Sequence, residues 1–218
     1  MAQVEQSLYD KLHEKWVEYD LAQYRSEALW DMRAQMEIAS LVGYRRKIYN
    51  PVKKEWKYLS GGAIRYIDKS INKSIAGFDN GSFVDITKDI FVGNNGSETR
   101  ICFAGSGVMS TFSKAPNFEK QVTQKDVFVK WGIKFHNIET NYGGLLVKYH
   151  PVLDYMGYAN KAIVLDINNV VKYQYKPMGS TQVDFAQSGQ KNSTADIISE
   201  AFCLAFKNPD THAVINLS

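Results

Sequence analysis

Residues 82–115 read SFVDITKDIFVGNNGSETRICFAGSGVMSTFSKA, and the order of elements in this run decides the fold class. Ser82 is placed to cap a helix running through Asp89 and Ile90, since a serine hydroxyl accepts an orphan N–H of the first turn. Gly93-Asn94-Asn95-Gly96 ends that helix. A buried strand follows over 99–104, then a short helix over 106–114 that stops before Pro116. Helix, polar loop, buried strand and helix make a mixed α+β middle.

Towards the N-terminus, residues 5–42 contain neither Gly nor Pro. Apolar residues recur there at helical spacing: Leu8, Leu12, Trp16 and Tyr19, then Leu21, Tyr24, Ala28, Met32, Met36 and Ala39. Gly43 supplies the stop signal. A helix of that length measures about 57 Å, more than a compact domain of this size covers, so either it is broken or part of it lies on another subunit. Residues 44–60 are basic, interrupted by Asn50-Pro51, and read as a short β-ribbon ending at Ser60-Gly61-Gly62. Residues 63–75 read as a further helix, followed by turns at Gly77 and Asn80-Gly81.

Towards the C-terminus, Val127, Val129, Trp131, Ile133 and Phe135 alternate with polar neighbours as one amphipathic strand. Asn141-Tyr142-Gly143-Gly144 turns the chain into a strand over 145–149. Short strands follow over 162–165 and 170–175, then a polar stretch over 179–194. The last long strand carries Ile198, Phe202, Leu204 and Phe206 on one face and Ser199, Ala201, Cys203 and Ala205 on the other. Asn208-Pro209-Asp210 breaks it, and a strand resumes over 213–215. The apolar row of this strand is expected to pack on the first helix.

The chain has 218 residues, 44% of them hydrophobic, with 13 Tyr, 11 Phe and 4 Trp. That suits a folded protein whose aromatics fill a core or an interface. The net charge of +3 does not by itself mark a nucleic-acid binder. Its distribution says more: residues 1–40 hold eight acids against four bases, and 41–75 hold nine bases against two acids. Surfaces of opposite sign are thus set to meet, within a subunit or between subunits. Cys102 and Cys203 lie apart in apolar runs and read as small hydrophobes in a reducing setting. No cationic segment followed by an apolar run opens the chain, and no apolar stretch reaches a bilayer-spanning length.

Gly105-Ser106-Gly107-Val108-Met109-Ser110 follows a strand and opens a helix, imitating a dinucleotide-binding turn. Ser110 stands where the third glycine belongs, the helix is short, and no βαβ continuation follows. A plain strand-to-helix connection is the better reading. His13, His136, His150 and His212 lack metal-ligand spacing, and Ser106 does not fit a nucleophile elbow. No acids pair at a spacing suited to acid–base work. No cofactor and no catalytic centre are expected. The densest charge feature is Arg45, Arg46, Lys47, Lys53, Lys54 and Lys57, interleaved with Tyr44, Tyr49, Trp56 and Tyr58. Bases among aromatics suit phosphates and stacked nucleobases. A ribbon pairing with a neighbour's acidic helix explains them better, because no nucleic-acid-binding fold signature accompanies them. With Trp30 of the first helix, Arg45, Arg46, Lys47, Lys53, Lys54, Trp56 and Lys57 are the candidate subunit-interface residues.

The linear order resembles the major capsid proteins of tailed bacteriophages, with the Hong Kong 97-type fold. Residues 82–115 resemble the helix, loop, strand and helix of that family's axial domain. Residues 127–178, with IVLDINNVVKYQYKPM at 163–178, resemble its strand pair and a Tyr-rich strand leading to a basic residue before proline. Residues 191–215, with FKNPDTHAVI at 206–215, resemble its last strand, where Asn-Pro-x-x-His-Ala is typical of one branch. The resemblance implies a peripheral domain with a spine helix over 1–61, an axial domain over 62–190, and a returning peripheral strand over 191–218. It implies capsomer rings of identical subunits in an icosahedral virion shell, assembled in the bacterial host cytoplasm. Other virion proteins are further partners, packaged DNA is met only indirectly, and no membrane is involved. Family members usually place an N-terminal arm and an extended loop ahead of the spine helix, whereas here that helix opens the chain. Two rivals are a cellular nanocompartment shell protein of the same fold and a nucleotide-binding protein using residues 105–110.

Overall fold

The computed structural model describes residues 2–7, 21–51, 54–114, 127–130, 133–187, 189 and 191–218. Helices and sheets are mixed along the chain, giving an α+β protein of two compact units. One unit holds residues 1–40 and 172–203; the other holds 41–171 and 204–218.

The larger unit is built on seven strands in the order β4-β12-β9-β5-β8-β7-β6. They span Ser70–Lys73 (β4), Thr99–Ala104 (β5), Val127–Lys130 (β6), Ile133–Thr140 (β7), Gly143–Tyr149 (β8), Lys161–Leu165 (β9) and Ala213–Leu217 (β12). The central β5 runs parallel to β8 and antiparallel to β9. Central strands lose both faces to the core, so they read as apolar runs without alternation. That is the pattern of Ile101-Cys102-Phe103-Ala104 and Ala162-Ile163-Val164-Leu165. On one face, Cys102, Ala104, Val147, Val164 and Ile215 pack with two helices, Asn80–Phe91 and Ser106–Lys114. The first contributes Phe83, Ile86 and Ile90, and the second Val108 and Phe112, at the spacing of an amphipathic stripe. On the other face, Ile163, Leu165 and Val214 pack with Leu41, Val42, Ala63, Ile67 and Leu153. Each fully buried side chain of this kind stabilises by about 1.5–3 kcal/mol.

Three expectations are corrected in this unit. The helix at 80–91 is capped by Asp79, whose carboxylate accepts from the Ser82 N–H at 2.8 Å and from its hydroxyl at 2.9 Å. Ser82 therefore sits inside the helix, and these bonds hold the Asp79 carboxyl below its usual range. The helix expected over 63–75 is a single turn, Ala63–Tyr66, followed by β4. Parallel pairing with β12, Ile71 opposite Ile215, buries Ile71 and overrides the local helical pattern. The single strand expected through Val127 and Phe135 is a hairpin, since Lys130 pairs with Ile133 and Val127 with His136. Trp131 of that expected strand lies outside the described residues.

The smaller unit combines a helix with a three-stranded sheet of order β1-β11-β10. The helix, α1, spans Leu21–Val42; the strands span Ala2–Ser7 (β1), Val170–Asp184 (β10) and Ser193–Phe206 (β11). The chain passes to the other unit within α1, returns near the start of β10 and leaves again within β11. The helix expected from residue 5 is overturned at its start: residues 5–7 belong to β1, which pairs antiparallel with β11 from Ala2↔Ile198 to Ser7↔Ser193. Leu8, Leu12, Trp16 and Tyr19 lie outside the described residues. The Glu5 carboxylate accepts from the Ser193 hydroxyl at 2.7 Å and from Lys191 at 3.2 Å, which pins the register.

The first helix and the last strand meet through a polar contact. Arg25 of α1 bridges to Asp196 of β11 at 2.9 Å and donates to the Ser180 hydroxyl of β10 at 2.7 Å. Met32 and Ile198 are buried. The expected apolar row is shorter than its sequence pattern. Phe202 is half-buried, with Lys172 Nζ 4.3 Å above its ring, while Leu204 and Phe206 belong to the larger unit. The polar stretch at 179–194 is also shorter than expected, because β10 continues to Asp184. Most of β10 is exposed on both faces, so it lacks the alternation that marks a half-buried strand.

Candidate subunit interface

A hairpin stands apart from the seven-stranded sheet. Arg46–Asn50 (β2) and Glu55–Leu59 (β3) pair antiparallel as a two-stranded sheet. Its base is closed where the Gly62 N–H donates to the Gly43 carbonyl at 2.9 Å. A Cβ on Gly62 would lie 2.5 Å from Gly43 N and 2.6 Å from Val42 N, so glycine is what lets these backbones approach. Arg65 caps the base: its guanidinium sits 3.9 Å above the Tyr44 ring.

Period-two alternation sorts the ribbon into two faces. Lys47, Tyr49, Trp56 and Tyr58 share one; Arg46, Ile48, Lys57 and Leu59 share the other, with Lys47 opposite Tyr58 and Tyr49 opposite Trp56. On the first face the Tyr49 and Trp56 rings lie 4.9 Å apart. Lys47 Nζ lies 4.5 Å from the Trp56 ring and 5.3 Å from that of Tyr58. Such cation–π contacts contribute about 0.5–1 kcal/mol each at exposed sites. They order the face without burying it: Trp56 remains 52% and Tyr58 73% exposed.

Arg45, Arg46, Lys47, Lys54, Trp56 and Lys57 are thus all exposed on one hairpin, as their spacing implied, and Lys53 lies outside the described residues. Lys54 turns the chain, with φ 51°. Trp30 belongs to α1 of the other unit and is 74% exposed. Tyr49 and Tyr58 complete the aromatic face, and their signal was the alternation in Lys47-Ile48-Tyr49 and Trp56-Lys57-Tyr58. Sequence reasoning gave no weight to Tyr155 or Tyr175, which are 81% and 94% exposed.

The glycine turn at 105–107 serves the fold. Its backbone donors are engaged: Gly105 N–H with the Lys161 carbonyl at 3.0 Å, Gly107 N–H with that of Ala159 at 3.0 Å, and Ser106 N–H with the Asp154 carboxylate at 2.9 Å. A Cβ on Gly105 would strike the Ala159 carbonyl. These glycines admit a neighbouring backbone where a dinucleotide turn would admit a phosphate.

The three stretches behind the family resemblance meet at Asp166. Buried Asp166, of the 163–178 stretch, accepts from Ser97 N–H at 2.9 Å, the Ser97 hydroxyl at 2.7 Å, Asn168 N–H at 3.2 Å and Asn169 Nδ2 at 2.8 Å. Its own N–H donates to His212 Nδ1 at 3.1 Å, so the imidazole proton sits on Nε2 and points to the Lys207 carbonyl at 3.2 Å. Asn208 Nδ2 donates to Asn169 Oδ1 at 3.1 Å, with Asn208 left-handed at φ 49°. Burial pushes the His212 pKa down. Burial would raise that of Asp166, but the bonds from Ser97 and its neighbours outweigh it and hold the carboxyl below its usual range. Arg100, buried behind the loop, donates to the Ile90 carbonyl at 2.6 Å and to Asn94 Oδ1.

Among solved structures, the chain is similar to the capsid of the cyanophage P-SCSP1u, with TM-score 0.59 and 11% identity over 100% of this chain and 71% of that one. It is similar to the Gordonia phage Cozz structure, with TM-score 0.59 and 14% identity over 99% and 68%. The SrpI encapsulin of Synechococcus elongatus PCC 7942 matches with TM-score 0.59 and 12% identity over 98% and 71%. No curated protein sequence matches the chain. At such identities these likenesses establish the fold, the Hong Kong 97 type, which phage capsids and encapsulins share. The family model for the SU10 major capsid protein matches residues 7–218, nearly the whole chain. The chain therefore belongs to the SU10 major capsid protein family, as a structural, shell-forming subunit of the virion.

Proposed function

We propose that this chain is the repeating subunit of an icosahedral virion shell, that it works by self-association into capsomer rings, and that it carries out no catalysis. The observation that carries the reading is the 46–59 ribbon, an exposed two-stranded sheet lined with aromatic and basic side chains. An isolated two-stranded hairpin is marginal in water, and exposed aromatic patches mark interaction sites. A neighbouring subunit completes such a ribbon. In this reading α1 and β11 form the peripheral domain, and most of 62–190 forms the axial domain around the ring axis. Assembly takes place in the host cytoplasm, other virion proteins add to the shell, and packaged DNA is met only indirectly. A nanocompartment shell is the second reading, supported by the encapsulin likeness; the family match favours the virion.

Light scattering and negative-stain microscopy of the purified chain, at low and high salt, test self-association. Small oligomers that dissociate as salt rises are expected, because the contact pairs opposite charges. A monomer indifferent to salt at high concentration overturns the reading. Regular closed shells at both salt levels would show that the contact does not depend on charge.

A further inference from the structure

The proposed self-association leaves open which surface the ribbon meets, and α1 carries a complement to it. Trp30 is 74% exposed on α1, where Tyr24 is 44% exposed and Met32 is buried. Glu27 and Ala34 flank it at i−3 and i+4, neighbouring positions on a helix surface. Asp31 lies one turn past Glu27, at i+4, and Glu37 lies two turns past Trp30. Glu27, Asp31 and Glu37 are exposed. Of the two bases on α1, Arg25 is engaged with Asp196 and Ser180, which leaves Arg33 against Glu27 and Asp31. The patch is therefore a projecting indole in a net-negative setting.

The ribbon face has the opposite character, with Lys47 held over Trp56 and Tyr58 beside the Tyr49 ring. We infer that the Glu27–Trp30–Asp31 patch of one copy docks on the Lys47–Tyr49–Trp56–Tyr58 face of a second copy, with the Trp30 indole among the ribbon's rings and the two carboxylates toward its bases. Each copy carries one of each surface, so the contact is heterologous: head-to-tail, repeating from copy to copy, and closing into a ring when the rotation allows. Aromatic anchors within an opposite-charge frame are the usual composition of a protein interface hot spot.

The head-to-tail geometry gives a test in the full-length chain by sedimentation velocity at low salt. Trp30→Ala keeps the ribbon intact, and Trp56→Ala keeps the helix patch intact. Each variant alone is expected to be monomeric at concentrations where the parent associates, its association weakened by about thirty-fold, the scale of removing a central interface tryptophan. Mixed, the two form a one-to-one dimer and stop there, because one intact contact remains and neither free end can extend. Both side chains are exposed, so the folds should survive, as circular dichroism would show; Lys47→Glu replaces Trp56→Ala if that variant misfolds. The inference is overturned if both variants associate like the parent, or if the mixture stays monomeric while the parent associates. It is also overturned if the ribbon variants lose DNA binding with association unchanged, which would assign the ribbon to nucleic acid. A parent that never associates sinks the self-association reading itself.

Discussion

Asp166→Ala removes the carboxylate that ties the 163–178 stretch to Ser97 and orients Asn168 and Asn169, and it keeps the backbone N–H that donates to His212. The carboxylate is 1% exposed and accepts four hydrogen bonds, two from Ser97 and one each from Asn168 and Asn169. A hydrogen bond to a charged group contributes about 1.5–3 kcal/mol net. The four do not simply add, because Asn168 is exposed and Ser97 and Asn169 are half-buried, so water can take up part of what is lost. Two bonds' worth is a fair account, about 3–6 kcal/mol, against a total stability of about 5–15 kcal/mol for a folded domain. At about 2–4 °C per kcal/mol for a chain of this size, Tm should fall by about 10 °C. Ser97→Ala, which keeps the backbone bond and loses the 2.7 Å hydroxyl bond, should cost about 1–2 kcal/mol. Urea unfolding followed by circular dichroism gives both values and the coupling between them in the double variant. A loss below about 1 kcal/mol for Asp166→Ala would refute that tie, and purely additive losses would refute the contact with Ser97.

Two further outcomes follow from the same geometry. Gly62→Ala should cost about 1–3 kcal/mol or more, because the new Cβ meets backbone at Val42 and Gly43 where no side chain can yield; Gly179→Ala, whose Cβ meets nothing nearer than 4.0 Å, should be near neutral, and equal melting temperatures would disprove the crowding. Acidification should destabilise in two stages: burial keeps the His212 pKa below its unfolded value near 6.5, so its stabilisation is complete above that pH and declines beneath it. Asp166, also depressed in the fold, loses its share at lower pH still. Urea midpoints from neutral pH to pH 5 should fall for the parent and stay flatter for His212→Gln; an unchanged slope would place the titration elsewhere.

How much of this was legible depended on what each residue faced. The run at 99–114 was readable because β5 and its helix lie wholly within one sheet-and-helix core, where pattern and burial agree. Residues 70–73 were misread because a strand at the sheet edge takes its identity from a partner some 140 residues away, β12, which no local pattern displays. The 170–184 strand was cut short for the opposite reason: with both faces exposed it has no period to show. The interface residues were legible as charge and aromatic density, yet their division into two faces waited on the register that sets Tyr49 against Trp56. The order of motifs carried the family likeness, and the structure gives the physical reason that two of them travel together. His212 accepts the Asp166 N–H, and Asn208 donates to Asn169. The Leu-Asp strand end and the Asn-Pro-x-x-His-Ala ending are thus two halves of one hydrogen-bonded joint, and removing the His212 ring leaves the buried Asp166 N–H without its partner.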